Sequence, residues 1–104
     1  MAKVALLLTA KTQPGKRDDV RRLWDKLVRP RVEADDAQEL YVFCEDMQDA
    51  DTIHLFEIYA NPEAMAANAR SEWFTQYLNA VTPLLAGPGM MSTATPTWAK
   101  GAAL

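Results

Sequence analysis

Three segments of this chain carry apolar side chains on both faces of what reads as an extended strand, and little sequence is left to hide both. Val4-Ala5-Leu6-Leu7-Leu8-Thr9 sets Leu6 and Leu8 against Ala5 and Leu7. Leu40-Tyr41-Val42-Phe43-Cys44 sets Val42 and Cys44 against Tyr41 and Phe43, and Ile53–Tyr59 sets Phe56 and Ile58 against Leu55 and Tyr59. Successive side chains of a strand point to opposite faces, and a sheet with one wet face alternates apolar with polar residues. A sheet built from these segments therefore needs cover on both sides. The 104 residues fit a single domain, with a core over about 3–95 and a tail over 96–104. Its helices suffice for one face. A second copy of the same sheet is the simplest cover for the other, which predicts a homodimer closed by a two-fold axis.

The helical segments are legible from spacing and caps. Val20, Leu23, Trp24, Leu27 and Val28 form one apolar stripe after the Pro14-Gly15 turn, and Pro30 is expected to kink or end that helix near Arg29. The polar stretch at Gln48–Asp51 makes 40–44 and 53–59 an antiparallel hairpin. Asn61-Pro62-Glu63 is a helix start, with an N-cap, a proline in the first turn and an acid beside the helix dipole. This short helix is expected to run to about Asn68, and Ser71-Glu72 restarts a second one carrying Phe74, Tyr77, Leu78, Val81, Leu84 and Leu85. Gly87-Pro88-Gly89 breaks it, and 90–95 reads as a last strand that Pro96 confines to an edge. The order β-α-β-β-α-β, with the second helical segment in two pieces, is that of an α+β, ferredoxin-like fold, two helices on one face of a four-stranded antiparallel sheet.

Charge and composition narrow the function. The net charge is −3, and the cations of the first helix interleave with Asp18, Asp19 and Asp25, which reads as a solvated face of ion pairs and argues against nucleic acid. Cys44 is the only cysteine, so neither a disulfide framework nor a cysteine-based metal site is expected. The apolar run at 4–8 is too short for a membrane span or a signal peptide, and a cytoplasmic protein is expected.

Taken in order, Pro14-Gly15-Lys16, Leu40-Tyr41, Phe56-Glu57-Ile58-Tyr59, Asn61-Pro62-Glu63-Ala64 and Asn68-x-x-Ser71-x-x-Phe74 resemble the antibiotic-biosynthesis-monooxygenase family. That family includes quinol monooxygenases and the anthrone oxygenases of polyketide tailoring. The resemblance implies a dimeric α+β barrel with a pocket in each subunit between sheet and helices. It also implies oxygenation of a small quinol, anthrone or polyketide-like aromatic by O₂ without metal, flavin or haem. Many quinol-type members have histidine where this chain has Asn68, whereas the anthrone oxygenases use Asn and Trp as pocket polar groups, so Asn68 and Trp73 fit that branch.

Such chemistry needs an electron-rich anion held beside oxygen in an apolar pocket with a few placed polar groups. Asn68 has an amide to donate to a substrate oxygen, or braces the joint between helices. Trp73 offers a flat ring and one N–H, or plain packing. His54 is the side chain whose ordinary pKa suits a base near neutrality, and it points either into a pocket or into the dimer barrel. Tyr77, Phe74, Phe56 and Tyr41 are the expected substrate-binding residues. Two other functions fit the same chain: a ligand-binding or regulatory dimer without turnover, and an isomerase or lyase of an enolisable carbonyl compound.

Overall fold

Pro14 and Gly15 turn the chain out of its first strand, with Gly15 at a φ of 76° that side-chain-bearing residues avoid. Its N–H donates to the Asp51 carboxylate at 3.0 Å, which ties this turn to the hairpin loop. The structure, a computed structural model, describes residues 2–101 and 104 of the chain. The elements are β1 (Val4–Lys11), α1 (Arg17–Leu27), α2 (Arg29–Ala34), β2 (Gln38–Glu45), β3 (Thr52–Tyr59), α3 (Pro62–Ala69), α4 (Glu72–Val81), a 3₁₀ turn (Thr82–Leu84) and β4 (Met90–Ala94). The strands pair antiparallel in the order β2-β3-β1-β4, so the fold is α+β and ferredoxin-like. β4 is an edge strand, as Pro96 requires.

The helix breaks at Val28, close to the Arg29 expected from Pro30. α1 stops at Leu27, and α2 restarts at Arg29 with Pro30 in its first turn, where a missing N–H costs nothing. At and along α1, several cations pair with neighbouring acids: Arg21 with Asp25 at 3.1 Å, Lys16 with Asp19 at 3.6 Å, and Arg22 also with Asp19. The helices α3 and α4 start as their caps predict. Asn61 accepts the N–H of Ala64 at 2.8 Å, and Ser71 accepts that of Phe74 at 3.3 Å.

Register assigns every strand residue to a face. Leu6, Glu57 and Tyr41 form one row across β1, β3 and β2, and Leu7, Phe56 and Val42 form the next. The first row faces the helices. There Val20, Ile53 and Val81 make the buried centre, with Leu23, Phe43, Leu55, Tyr77, Leu84 and Leu85 packed around it. The second row faces away from the helices. Leu7 is 37% exposed, Val42 41% and Phe56 41%, so the apolar outer face that the sequence predicted lies open in the single chain. Ala5 and Ile58, partners at one end of that face, are buried.

Candidate functional site

A cavity of about 430 Å³ lies between the inner sheet face and the helices. Its walls are mostly apolar: Leu6, Leu8, Phe43, Leu55, Met65 and Phe74 are among them. Into these walls come a few polar groups, Gln38 and Tyr41 from β2, Glu57 and Tyr59 from β3, Asn68 from α3, and Trp73 and Tyr77 from α4. That is the composition expected of a small-molecule site.

Glu57 is the chemical centre of the cavity. It is 5% exposed. Its Oε1 accepts from Gln38 Nε2 at 2.7 Å and from the Tyr59 hydroxyl at 2.9 Å. Among the described residues nothing donates to Oε2, and no buried side-chain oxygen or nitrogen is left unpartnered, so Oε2 keeps surface of its own. Because Glu57 lines the cavity, that surface belongs to the cavity. Burial raises the Glu57 pKa above the ordinary carboxylate value of 4.5, against the two hydrogen bonds that pull it down. A carboxyl held in this way is a better proton acceptor than one in water.

The phenols around it are held in the neutral form. Burial raises the Tyr41 and Tyr59 hydroxyls well above the ordinary 10, with the Glu57 charge adding to the effect, and burial pushes Tyr77 up to about 12. All three therefore keep a proton to donate near neutral pH. Tyr59 gives its proton to Glu57, whereas Tyr41 accepts the indole N–H of Trp24 at 2.9 Å.

Five of the seven residues expected from sequence meet in this cavity: Asn68, Trp73, Phe74, Tyr77 and Tyr41. His54 and Phe56 do not line it, because the alternation of β3 sends them to the outer face opposite Glu57. Of the two directions open to His54, the chain takes the one away from the helices. There its ring nitrogens bond Asp46 Oδ1 at 2.7 Å and Thr9 Oγ1 at 3.0 Å. The His54 bond, with two backbone N–H groups, holds the Asp46 carboxyl down at about 2. Asn68 brings its amide to the cavity wall. Its Nδ2 reaches Asp35 Oδ2 at 3.4 Å and the Tyr59 hydroxyl at 3.5 Å, both long bonds, so the carboxylate orients the amide, and among the described residues nothing donates to its side-chain carbonyl oxygen.

Glu57, Tyr59 and Gln38 were not among the expected site residues. The signal for Glu57 was present: it is the one carboxylate within the Ile53–Tyr59 run, in step with Leu55 and Tyr59. Only the register shows that this face is the helix-covered one.

The family model for antibiotic biosynthesis monooxygenases matches residues 3–80. The chain belongs to that family. Solved structures agree in fold. A protein of Chloroflexus aurantiacus provisionally named an antibiotic biosynthesis monooxygenase is 20% identical, with a TM-score of 0.82 over 96% of this chain and 98% of its own. One of Caulobacter crescentus, named in the same way, is 18% identical, with a TM-score of 0.85 over 93% and 92%. A Mycobacterium tuberculosis protein is 25% identical, with a TM-score of 0.81 over 97% and 100%. No curated protein matches the sequence. Among the described residues no helix is long and apolar enough to cross a membrane.

Proposed function

We propose that this protein is a cofactor-independent monooxygenase of a small aromatic quinol, anthrone or polyketide-like substrate, with Glu57 as the base. The observation that carries this reading is a carboxylate with one unoccupied oxygen, buried in the wall of an apolar cavity. Proton transfer from the substrate to Glu57 Oε2 leaves an electron-rich anion. In an anthrone the resulting carbanion passes an electron to O₂, and recombination forms a carbon–oxygen bond. Loss of water from the hydroperoxide then gives the quinone, so one O₂ yields one quinone and one water. The substrate supplies all the electrons. The chain supplies the base, a dry wall and hydrogen-bond donors where the negative charge settles.

Asn68 and Tyr77 orient the substrate in this scheme, and Trp73 and Phe74 flank its rings. The reading includes a homodimer formed through the outer sheet face, a single domain over the whole chain, and a cytoplasmic setting without nucleic-acid or membrane partners. The test is oxygen uptake by metal-stripped protein with a panel of quinols and anthrones. One O₂ consumed per substrate supports the reading, and uptake no faster than buffer with every compound overturns it. A second reading rests on the same carboxylate: an isomerase of an enolisable carbonyl compound needs the base but not O₂. Product formed under strict anaerobiosis would establish that instead.

A further inference from the structure

Tyr41 and Glu57 are register partners on β2 and β3, and both line the cavity. Opposed residues on antiparallel strands have Cβ atoms about 4.5–5.5 Å apart, so the phenol and the carboxylate border the same space. They do not bond each other. Both hydrogen bonds to Glu57 fall on Oε1, from Gln38 and Tyr59. The bond at the Tyr41 oxygen is one it accepts, from Trp24 Nε1–H. A tyrosine hydroxyl has a single proton, and an N–H aimed at its oxygen turns that proton elsewhere. Among the described residues no acceptor receives it. The wall therefore carries an unfilled donor and an unfilled acceptor on paired residues of neighbouring strands.

We propose that Tyr41 and Glu57 together form a seat for one aromatic hydroxyl group, which donates to Glu57 Oε2 and accepts from the Tyr41 hydroxyl. Trp24 is the positioning residue that aims Tyr41. The inference rests on the reading of Glu57 as a base given above. When the proton moves from ligand to Oε2, the charge moves the other way and the net charge of the site is unchanged. The new ligand anion then accepts from two O–H groups, those of Tyr41 and of protonated Glu57. A methyl ether or a ketone fills only the donor half of the pair, and a hydrocarbon fills neither.

Trp24 suits this role because it is immobilised without entering the wall. It is 8% exposed, its ring meets Tyr41 and Phe43 at 5.3 and 5.0 Å, and the Arg21 guanidinium lies over it at 5.6 Å.

The test is a fluorescence titration without oxygen, using 2-naphthol and the hydrocarbon naphthalene as probes on the wild type, Tyr41→Phe, Trp24→Phe and the double variant. The wild type is expected to prefer the naphthol by about tenfold, the size of one good buried hydrogen bond. Each single variant loses several-fold in naphthol affinity with the hydrocarbon unchanged, because naphthalene accepts nothing from Tyr41. The double variant loses no more than Tyr41→Phe, because Trp24 acts through Tyr41. Equal wild-type binding of the two probes, or no binding of either, overturns the seat. Equal weakening of both probes by Trp24→Phe shows a packing role and overturns the positioning. If Trp24→Phe does not fold, Tyr41→Phe still decides the seat. A naphthol preference in a protein that consumes no oxygen with any substrate sinks the oxygenase reading alone. Oxygen uptake without that preference sinks the seat alone.

Discussion

Glu57 sits in an unfavourable location for a carboxylate. Its pKa is raised by burial, so folding favours the protonated form. The sign follows: the stability this group contributes is full below its unfolded pKa and is lost as pH rises through the folded value. At neutral pH the ionised carboxylate is thus a small liability to the fold. Glu57→Gln is expected to melt at the same temperature as the wild type or higher at pH 7–8, while oxygen uptake falls by about 100-fold or more. A fall in melting temperature with unchanged rate would remove Glu57 from the chemistry. Asn68→Ala, which removes an amide held only by long bonds, is expected to lower turnover with little change in melting. The His54–Asp46 pair has the opposite sign. The Asp46 pKa is depressed to about 2, so its contribution is present above the unfolded value of 3.8 and lost as pH falls toward 2. His54→Ala should therefore weaken the protein against acid in thermal melts between pH 2 and 4. It should leave the rate of oxygen uptake unchanged, because the ring lies on the face away from the cavity.

The joint between α3 and α4 sets where Asn68 and Trp73 stand, and it is built from one serine. Ser71 donates its hydroxyl to the Asn68 carbonyl at 2.7 Å and accepts the N–H of Phe74, so it ends one helix and starts the next. Ser71→Ala is expected to cost about 1 kcal/mol in chemical denaturation, the usual worth of an N-cap. If the joint aims the site, Ser71→Ala also raises KM. Caps such as this one, and Asn61 before Pro62, are legible in sequence because their chemistry is local. The strands were legible as well, since their alternation needs only the chain itself. Period two shows that Glu57 shares a face with Leu55 and Tyr59 and that His54 shares one with Phe56. It does not say which of those faces the helices will cover. That choice is made by packing between segments far apart in sequence, and it is why His54 was a candidate base while Glu57, three residues on, was not. The orientation of Asn68 was hidden for the same reason, because Asp35 approaches it from another element.

At the scale of the whole molecule, the outer sheet face remains the main physical constraint. Leu7, Val42 and Phe56 are open to water in the single chain, and Met90 at the start of β4 is 79% exposed. In the proposed dimer these exposed apolar side chains meet the partner's, as large apolar patches on soluble domains commonly do. Phe56→Lys places a charge at its centre, and Phe56 itself does not line the cavity. It is expected to convert a dimer to a monomer in sedimentation; a wild type that sediments as a monomer would remove the dimer from the reading. Trp98, 79% exposed in the tail, belongs to the same account as an aromatic free to dock on a partner. The face also carries Cys44, a free and exposed thiol directly opposite His54. Pairing of two sheets would shield that sulfur, and dissociation would bare it. The chain thus contains its own gauge of assembly: alkylation by a maleimide should slow as protein concentration rises and quicken on dilution, with no label or engineered residue needed to follow it.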